Sequence, residues 1–210
     1  MVLWTRVVQK LIETINMVKS ALKPGLLYLV RDFKGVHFAI EAATRLCAKI
    51  ATHNHGCYVL KQCVEYSAGE QREKLVDEIS RYFLHLAQDP FGNYLVQFII
   101  KQKLGGINII SEFIGGYVKL ATQKFSSHVV EKCLIYYPES RSQIVRELVS
   151  VENFEHLLQN PFANYVIQSA LSNTKGYIRK SLVDKLQRCE HVRMNPHCRK
   201  IFFKSHILKM

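Results

Sequence analysis

Amide, hydroxyl, carboxylate and ring side chains recur at fixed offsets along this chain. The stretch Asp89–Ile100 (DPFGNYLVQFII) returns as Asn160–Leu171 (NPFANYVIQSAL), with Pro, Phe, Asn, Tyr and Gln in register. Between them lies Lys124–Leu134 (KFSSHVVEKCL), and before them His55–Val64 (HGCYVLKQCV). In each, a Phe-Gly, Phe-Ala, Phe-Ser or His-Gly pair leads into a pentad of polar, aromatic, apolar, apolar and polar residues. A core position asks only for an apolar side chain of suitable size, so fixed polar and aromatic letters need another reason. Amides both donate and accept, a carboxylate only accepts, and phenol and imidazole rings offer flat faces. Together they suit recognition of a planar, hydrogen-bonding ligand rather than bond-making.

The first pentad residues, Cys57, Asn93, Ser127 and Asn164, are 36, 34 and 37 positions apart, a period expected of helical repeat arrays. Weaker copies occur at Thr5-Arg6-Val7-Val8-Gln9, at Val36-His37-Phe38-Ala39-Ile40 and at Arg199-Lys200-Ile201-Phe202-Phe203. Six consecutive pentads carry a flat group in second place: Arg6, His37, Tyr58, Tyr94, His128 and Tyr165. All of these stack well on a nucleobase.

Helices must position these letters. Asp89 and Asn160 are suited to N-capping and Pro90 and Pro161 to a first turn, while Leu95, Val96, Ile99 and Ile100 share one side. At about 100° per residue, Asn93, Gln97 and Tyr94 fall on an arc opposite that stripe. Upstream segments from Glu70 to Leu86, Ile107 to Ala121 and Ser140 to Leu158 supply further amphipathic turns. The expected fold is therefore all-α, a solenoid with two or three helices per unit.

Composition narrows the function. The chain is 48% hydrophobic and 22% charged over 210 residues, enough for a sizeable core, and its net charge of +12 favours polyanionic partners. Charged residues interrupt every apolar run before it reaches a membrane span of roughly 18 residues, and Arg6, Lys10 and Glu13 disfavour a signal peptide. The six cysteines form no CxxC pair, which points to reduced thiols in the cytoplasm. Cys47, His53, His55, Cys57 and Cys63 cluster in sequence but match no common zinc spacing, so no metal or other cofactor is expected. The absence of Walker, GxSxG and HExxH motifs argues against an enzyme.

The pentads Asn-Tyr-x-x-Gln, Ser-His-x-x-Glu and Cys-Tyr-x-x-x on units of about 36 residues resemble the Pumilio, or PUF, family of RNA-binding proteins, and several loops are similar to its plant members. The resemblance implies a right-handed arc of three-helix repeats, akin to ARM and HEAT arrays, with single-stranded RNA on the concave face and one base per repeat. It further implies antiparallel RNA, with its 5′ end at the C-terminal repeats. Asn164 and Gln168 would then read uracil beneath Tyr165, Ser127 and Glu131 guanine beneath His128, and Asn93 and Gln97 uracil beneath Tyr94, spelling 5′-UGU. Glu131 suits guanine independently, since guanine's Watson–Crick edge offers N–H donors to an acceptor-only carboxylate. By the same resemblance the chain would regulate translation or mRNA stability through 3′ untranslated regions, with protein effectors on the convex face.

The departures from that pattern lie toward the N-terminus. In the Cys57–Lys61 pentad the family's Gln for adenine is replaced by Lys61, and Gln62 sits about 100° further round. The pentad of His37 has apolar edge-reading positions, and only 21 residues separate Val36 from Cys57, which suggests a lost helix. Thr5, Arg6 and Gln9 keep a reading set within what would be an opened repeat. The expected layout is a partial repeat at about 1–20, a degenerate one at about 21–45, repeats at about 46–80, 81–115, 116–150 and 151–186, and a cap at about 187–210. In the cap Arg199 and Lys200 replace base-reading letters, and the tail from Arg193 holds five Lys and Arg residues and no acid. The rival reading is a degenerate array that binds proteins, or RNA without sequence preference.

Overall fold

A computed structural model describes residues 41, 43–106 and 108–205, and all regular structure among them is helical. Two compact units divide the chain, Met1–Gly105 and Gly106–Met210. In the first, a short helix precedes each pentad helix: α1 (Cys47–Ala51), α2 (Gly56–Tyr66), α3 (Gly69–Ser80), α4 (Phe83–Gln88) and α5 (Gly92–Lys101). The apolar stripe of α2 (Val59, Leu60, Cys63, Val64) and that of α5 (Leu95, Val96, Ile99, Ile100) are both fully buried. The two helices pack on each other, with α1 against α2 and α4 against α5. Each buried aliphatic side chain contributes about 1.5–3 kcal/mol, so the stacked stripes hold this unit together.

The second unit continues the pattern: α6 (Asn108–Ser111), α7 (Tyr117–Ala121), α8 (Ser126–Tyr136), α9 (Arg141–Ser150), α10 (Phe154–Gln159), α11 (Ala163–Asn173), α12 (Gly176–Gln187) and α13 (Pro196–Ser205). Here α8 packs on α11 and α11 on α13, while α9 packs on α12. Within this unit the pentad-bearing helices thus form one row and the long helices that follow them another.

A small residue opens each pentad helix for a steric reason. A methyl built on Gly56 would overlap the Ile50 carbonyl oxygen, and one on Gly92 would lie 2.9 Å from Leu86 Cδ2 and 3.0 Å from the Leu86 carbonyl oxygen. In the equivalent place Ser126 donates from Oγ to the Leu120 carbonyl at 2.8 Å, and Ala163 is fully buried. The short helix therefore crosses the start of the long one at backbone contact distance.

The far ends of the pentad helices are held by arginine. Arg72 donates to the carbonyls of Ser67 (2.8 Å) and Glu65 (3.3 Å), and Arg141 to those of Leu134 (2.7 Å) and Ile135 (3.1 Å). Arg179 donates to the carbonyls of Leu171 (3.3 Å) and Lys204 (3.1 Å). Each guanidinium satisfies carbonyls that a helix C-terminus leaves without partners. Helix α5 ends differently, in a Schellman turn: Lys103 N–H donates to the Ile100 carbonyl (3.0 Å) and Leu104 N–H to that of Ile99 (3.1 Å). Lys103 occupies the left-handed position of that turn, with φ of 55°, where glycine is usual.

Candidate nucleic-acid interface

The site is built from the turn that precedes each pentad helix. Four residues before the first letter, Asp89 Oδ1 accepts from the N–H groups of Phe91 (2.8 Å) and Gly92 (2.7 Å), and Asn160 Oδ1 from those of Phe162 and Ala163 (both 2.9 Å). His53 Nδ1 accepts from His55 N–H at 3.3 Å, and Asn195 Oδ1 from His197 N–H at 2.9 Å. The backbone carbonyl of the same residue accepts the N–H of the first letter in five cases, from His53, Asp89, Gln123, Asn160 and Asn195. The expected capping by Asp89 and Asn160 thus occurs one turn ahead of the regular helices, which start at Gly92 and Ala163.

This turn folds over the first letter. Asn93 and Asn164 are only 2% and 3% exposed, although a helical wheel puts Asn93 opposite the apolar stripe. Asn93 Nδ2 donates to the carbonyls of Asp89 (2.8 Å) and Pro90 (3.0 Å), and Asn164 Nδ2 to that of Asn160 (2.9 Å). With the amide nitrogen so occupied, each Asn presents its oxygen to the fifth letter. Gln97 Nε2 donates to Asn93 Oδ1 at 2.9 Å, and Gln168 Nε2 to Asn164 Oδ1 at 3.1 Å. Both glutamine amides are therefore oriented in advance, with the second N–H and Oε1 left to pair elsewhere. Beside them the rings stand out of the surface: Tyr94 is 66% and Tyr165 54% exposed.

The central pentad differs in charge. Ser127 is buried and donates to the Lys124 carbonyl at 3.4 Å, while exposed His128 places Nδ1 3.4 Å from Glu131 Oε1. Burial pushes the Glu131 carboxyl above its ordinary range, although His128, Lys132 and Lys204 pull it the other way. A partly desolvated carboxylate beside a flat ring is a strong acceptor for paired N–H donors.

In the Cys57 pentad, Tyr58 is 52% exposed and Cys57 Sγ lies 3.4 Å from the Asn54 carbonyl oxygen. Lys61 Nζ lies 5.0 Å from the Phe98 ring centroid and 4.0 Å from Glu65 Oε1. Gln62 is buried and donates to Glu65 Oε2 at 2.8 Å, so it does not share the face of Tyr58. Arg199 and Lys200 on α13 are exposed. Thr5, Arg6, Gln9 and His37 lie outside the described residues. Sequence reasoning had no account of the capping role of His53 and Asn195, nor of the arginine clamps. The spacing that marks the clamps is visible in retrospect, since Arg72, Arg141 and Arg179 follow Cys57, Ser127 and Asn164 by 15, 14 and 15 positions.

The geometry can be set beside known proteins. The model of the Pumilio-family RNA binding repeat matches residues 5–18, 47–80, 82–102, 116–149 and 153–187. The chain belongs to the Pumilio family. Among its Pumilio relatives are Pumilio homolog 11 of Arabidopsis thaliana, 62% identical over 96% of this chain, and Pumilio homolog 9 of the same plant, 54% identical over 98%. The chain spans 40% of the length of each of these two. Among solved Pumilio structures, the Puf4 RNA binding domain bound to an HO endonuclease RNA 3′ UTR recognition sequence is 28% identical, with a TM-score of 0.72 over 90% of this chain and 68% of that one.

Proposed function

We propose that this chain binds single-stranded RNA sequence-specifically and reads a 5′-UGU core, one base per pentad, with the 5′ uracil at Asn164. The observation that carries this reading is the exposed ring beside a pre-oriented hydrogen-bonding group in three successive pentads. Uracil offers one N–H flanked by two carbonyls, which complements a glutamine amide that keeps one acceptor and one donor after pairing with Asn. Guanine offers two adjacent N–H donors, which complement the two oxygens of Glu131. The RNA-bound state of the Puf4 neighbour supports the choice of ligand. In this reading the chain acts as a cytoplasmic regulator of translation or stability of the messages it binds through their 3′ untranslated regions.

The test exchanges the central letters. Ser127→Asn with Glu131→Gln copies the flanking pentads, and the carbonyls of Gln123 and Lys124 are in place to accept from the new amide. The double variant is expected to prefer UUU to UGU, with total affinity within about tenfold of the parent, because an unpaired polar contact costs roughly 1–3 kcal/mol. Titration of both RNAs against both proteins checks it. Retained preference for UGU in the variant overturns the assignment, and equal binding of both RNAs by the parent favours an array without sequence preference.

A further inference from the structure

We propose that Lys61 makes the Cys57 pentad select against adenine, so that the base following UGU is preferentially guanine, uracil or cytosine. The proposal rests on the reading above for the register of the RNA, and adds to it the specificity of a fourth position. Lys61 occupies the fifth place in its pentad, the register of Gln97, Glu131 and Gln168. An ammonium has three donors and no acceptor. Guanine, uracil and cytosine each carry a carbonyl oxygen on the edge that faces such a group, whereas adenine offers only a single ring nitrogen there, flanked by an exocyclic amine that opposes donor to donor.

The geometry favours a base edge over a phosphate as the partner of this lysine. The ammonium is held above the Phe98 ring and beside Glu65, and its side chain is 39% exposed. A lysine that serves the backbone of a polyanion gains from reaching freely into solvent, whereas this one is confined on two sides and partly neutralised by a carboxylate. Among the described residues Lys61 makes no hydrogen bond, because Glu65 at 4.0 Å is beyond that range and receives Gln62 instead. Its N–H groups therefore remain to donate. The first letter competes weakly, since a thiol is a poor donor and Cys57 Sγ already faces the Asn54 carbonyl. Tyr58 supplies a stacking face that accepts any base. With stacking indifferent and the first letter weak, the fifth letter decides.

The experiment compares four RNAs of the form 5′-UGUN in identical flanks, with N as each base, against the full chain and its Lys61→Met and Lys61→Gln variants, with circular dichroism to confirm folding. The parent is expected to bind UGUA about three- to tenfold more weakly than the mean of the other three, a charged hydrogen bond reduced by partial exposure. Lys61→Met should bind all four within about twofold of one another, since no donor remains. Lys61→Gln should reverse the ranking in favour of adenine, because an amide both accepts from the amine and donates to a ring nitrogen. Equal or tighter binding of UGUA by the parent overturns the proposal. So does a uniform loss across all four RNAs in Lys61→Met, which marks a phosphate contact. A matched series of 5′-UUUN RNAs separates the two levels: if UGUN and UUUN bind the parent alike, the UGU reading falls and this proposal with it, whereas a flat response to N alone removes only the role of Lys61.

Discussion

In the proposed reading, the rings and the letters of a pentad divide the work of recognition differently. Tyr94 and Tyr165 stand clear of the surface, and a ring stacked on a base meets its face rather than its hydrogen-bonding edge, so Tyr94→Ala or Tyr165→Ala is expected to weaken UGU and mismatched RNAs by similar factors, roughly 1–3 kcal/mol each. Binding isotherms on matched and mismatched RNAs check this, and an unchanged affinity would place the RNA elsewhere. Glu131 adds a dependence on pH. Its carboxyl is raised above the ordinary range by burial, with His128, Lys132 and Lys204 as the opposing charges. Only the ionised form accepts both guanine donors, and the protonated form sets an O–H against an N–H. Preference for UGU over UUU should therefore fade on acidification at a higher pH than an ordinary glutamate would give, and Glu131→Gln should abolish that pH dependence. A UGU:UUU affinity ratio that is flat from neutral to mildly acidic buffer would show that the carboxylate does not face the base.

At the scale of the helix, the entry residue and the exit turn set the tolerance of each unit. Gly56→Ala should destabilise the fold by about 1–3 kcal/mol, since the new methyl meets backbone rather than a side chain. Gly92→Ala should cost less, because the Leu86 methyl it meets can rotate and the Leu86 carbonyl oxygen lies 3.0 Å away, not overlapping as at Gly56. Urea unfolding of both variants checks the order. At the exit of α5, Lys103→Gly should raise stability by about 1 kcal/mol or less, because relief of the left-handed backbone is offset by a more flexible unfolded chain. Helices, period and pentads were legible in the sequence, since an apolar stripe and a fixed 34–37-residue step survive without tertiary context. Burial of Asn93 was not legible, because a helical wheel treats the helix as an isolated cylinder and omits the Asp89–Phe91 turn that covers it. Arg72, Arg141 and Arg179 were equally hidden, since in a chain of net charge +12 an arginine reads as surface charge unless its carbonyl partners are known.

For the molecule as a whole, the excess of positive charge overstates what an RNA ligand would meet in the proposed reading. The three clamp arginines are committed to carbonyls, and Arg45, Lys74, Arg81 and Arg193 are paired with Glu41, Glu70, Glu78 and Glu190. RNA affinity should still fall with salt, at a log–log slope of about −0.7 per neutralised phosphate, hence about −2 to −3 for a core of three or four nucleotides. A flat response would remove electrostatics from binding, and a much steeper one would imply a longer footprint than the pentads supply. The Schellman turn after α5 carries a different implication. At the other three exits an arginine from the next long helix closes over the final carbonyls, whereas here Lys101, Gln102 and Lys103 are exposed around a backbone held by its own turn. Trypsin requires a lysine or arginine in a segment that can be drawn into an extended strand, and Lys101 and Lys103 lie just before the boundary between the two compact units. Among the described residues, brief digestion of the native protein should thus cut first at Lys101 or Lys103 and leave the helices on either side of the cut folded.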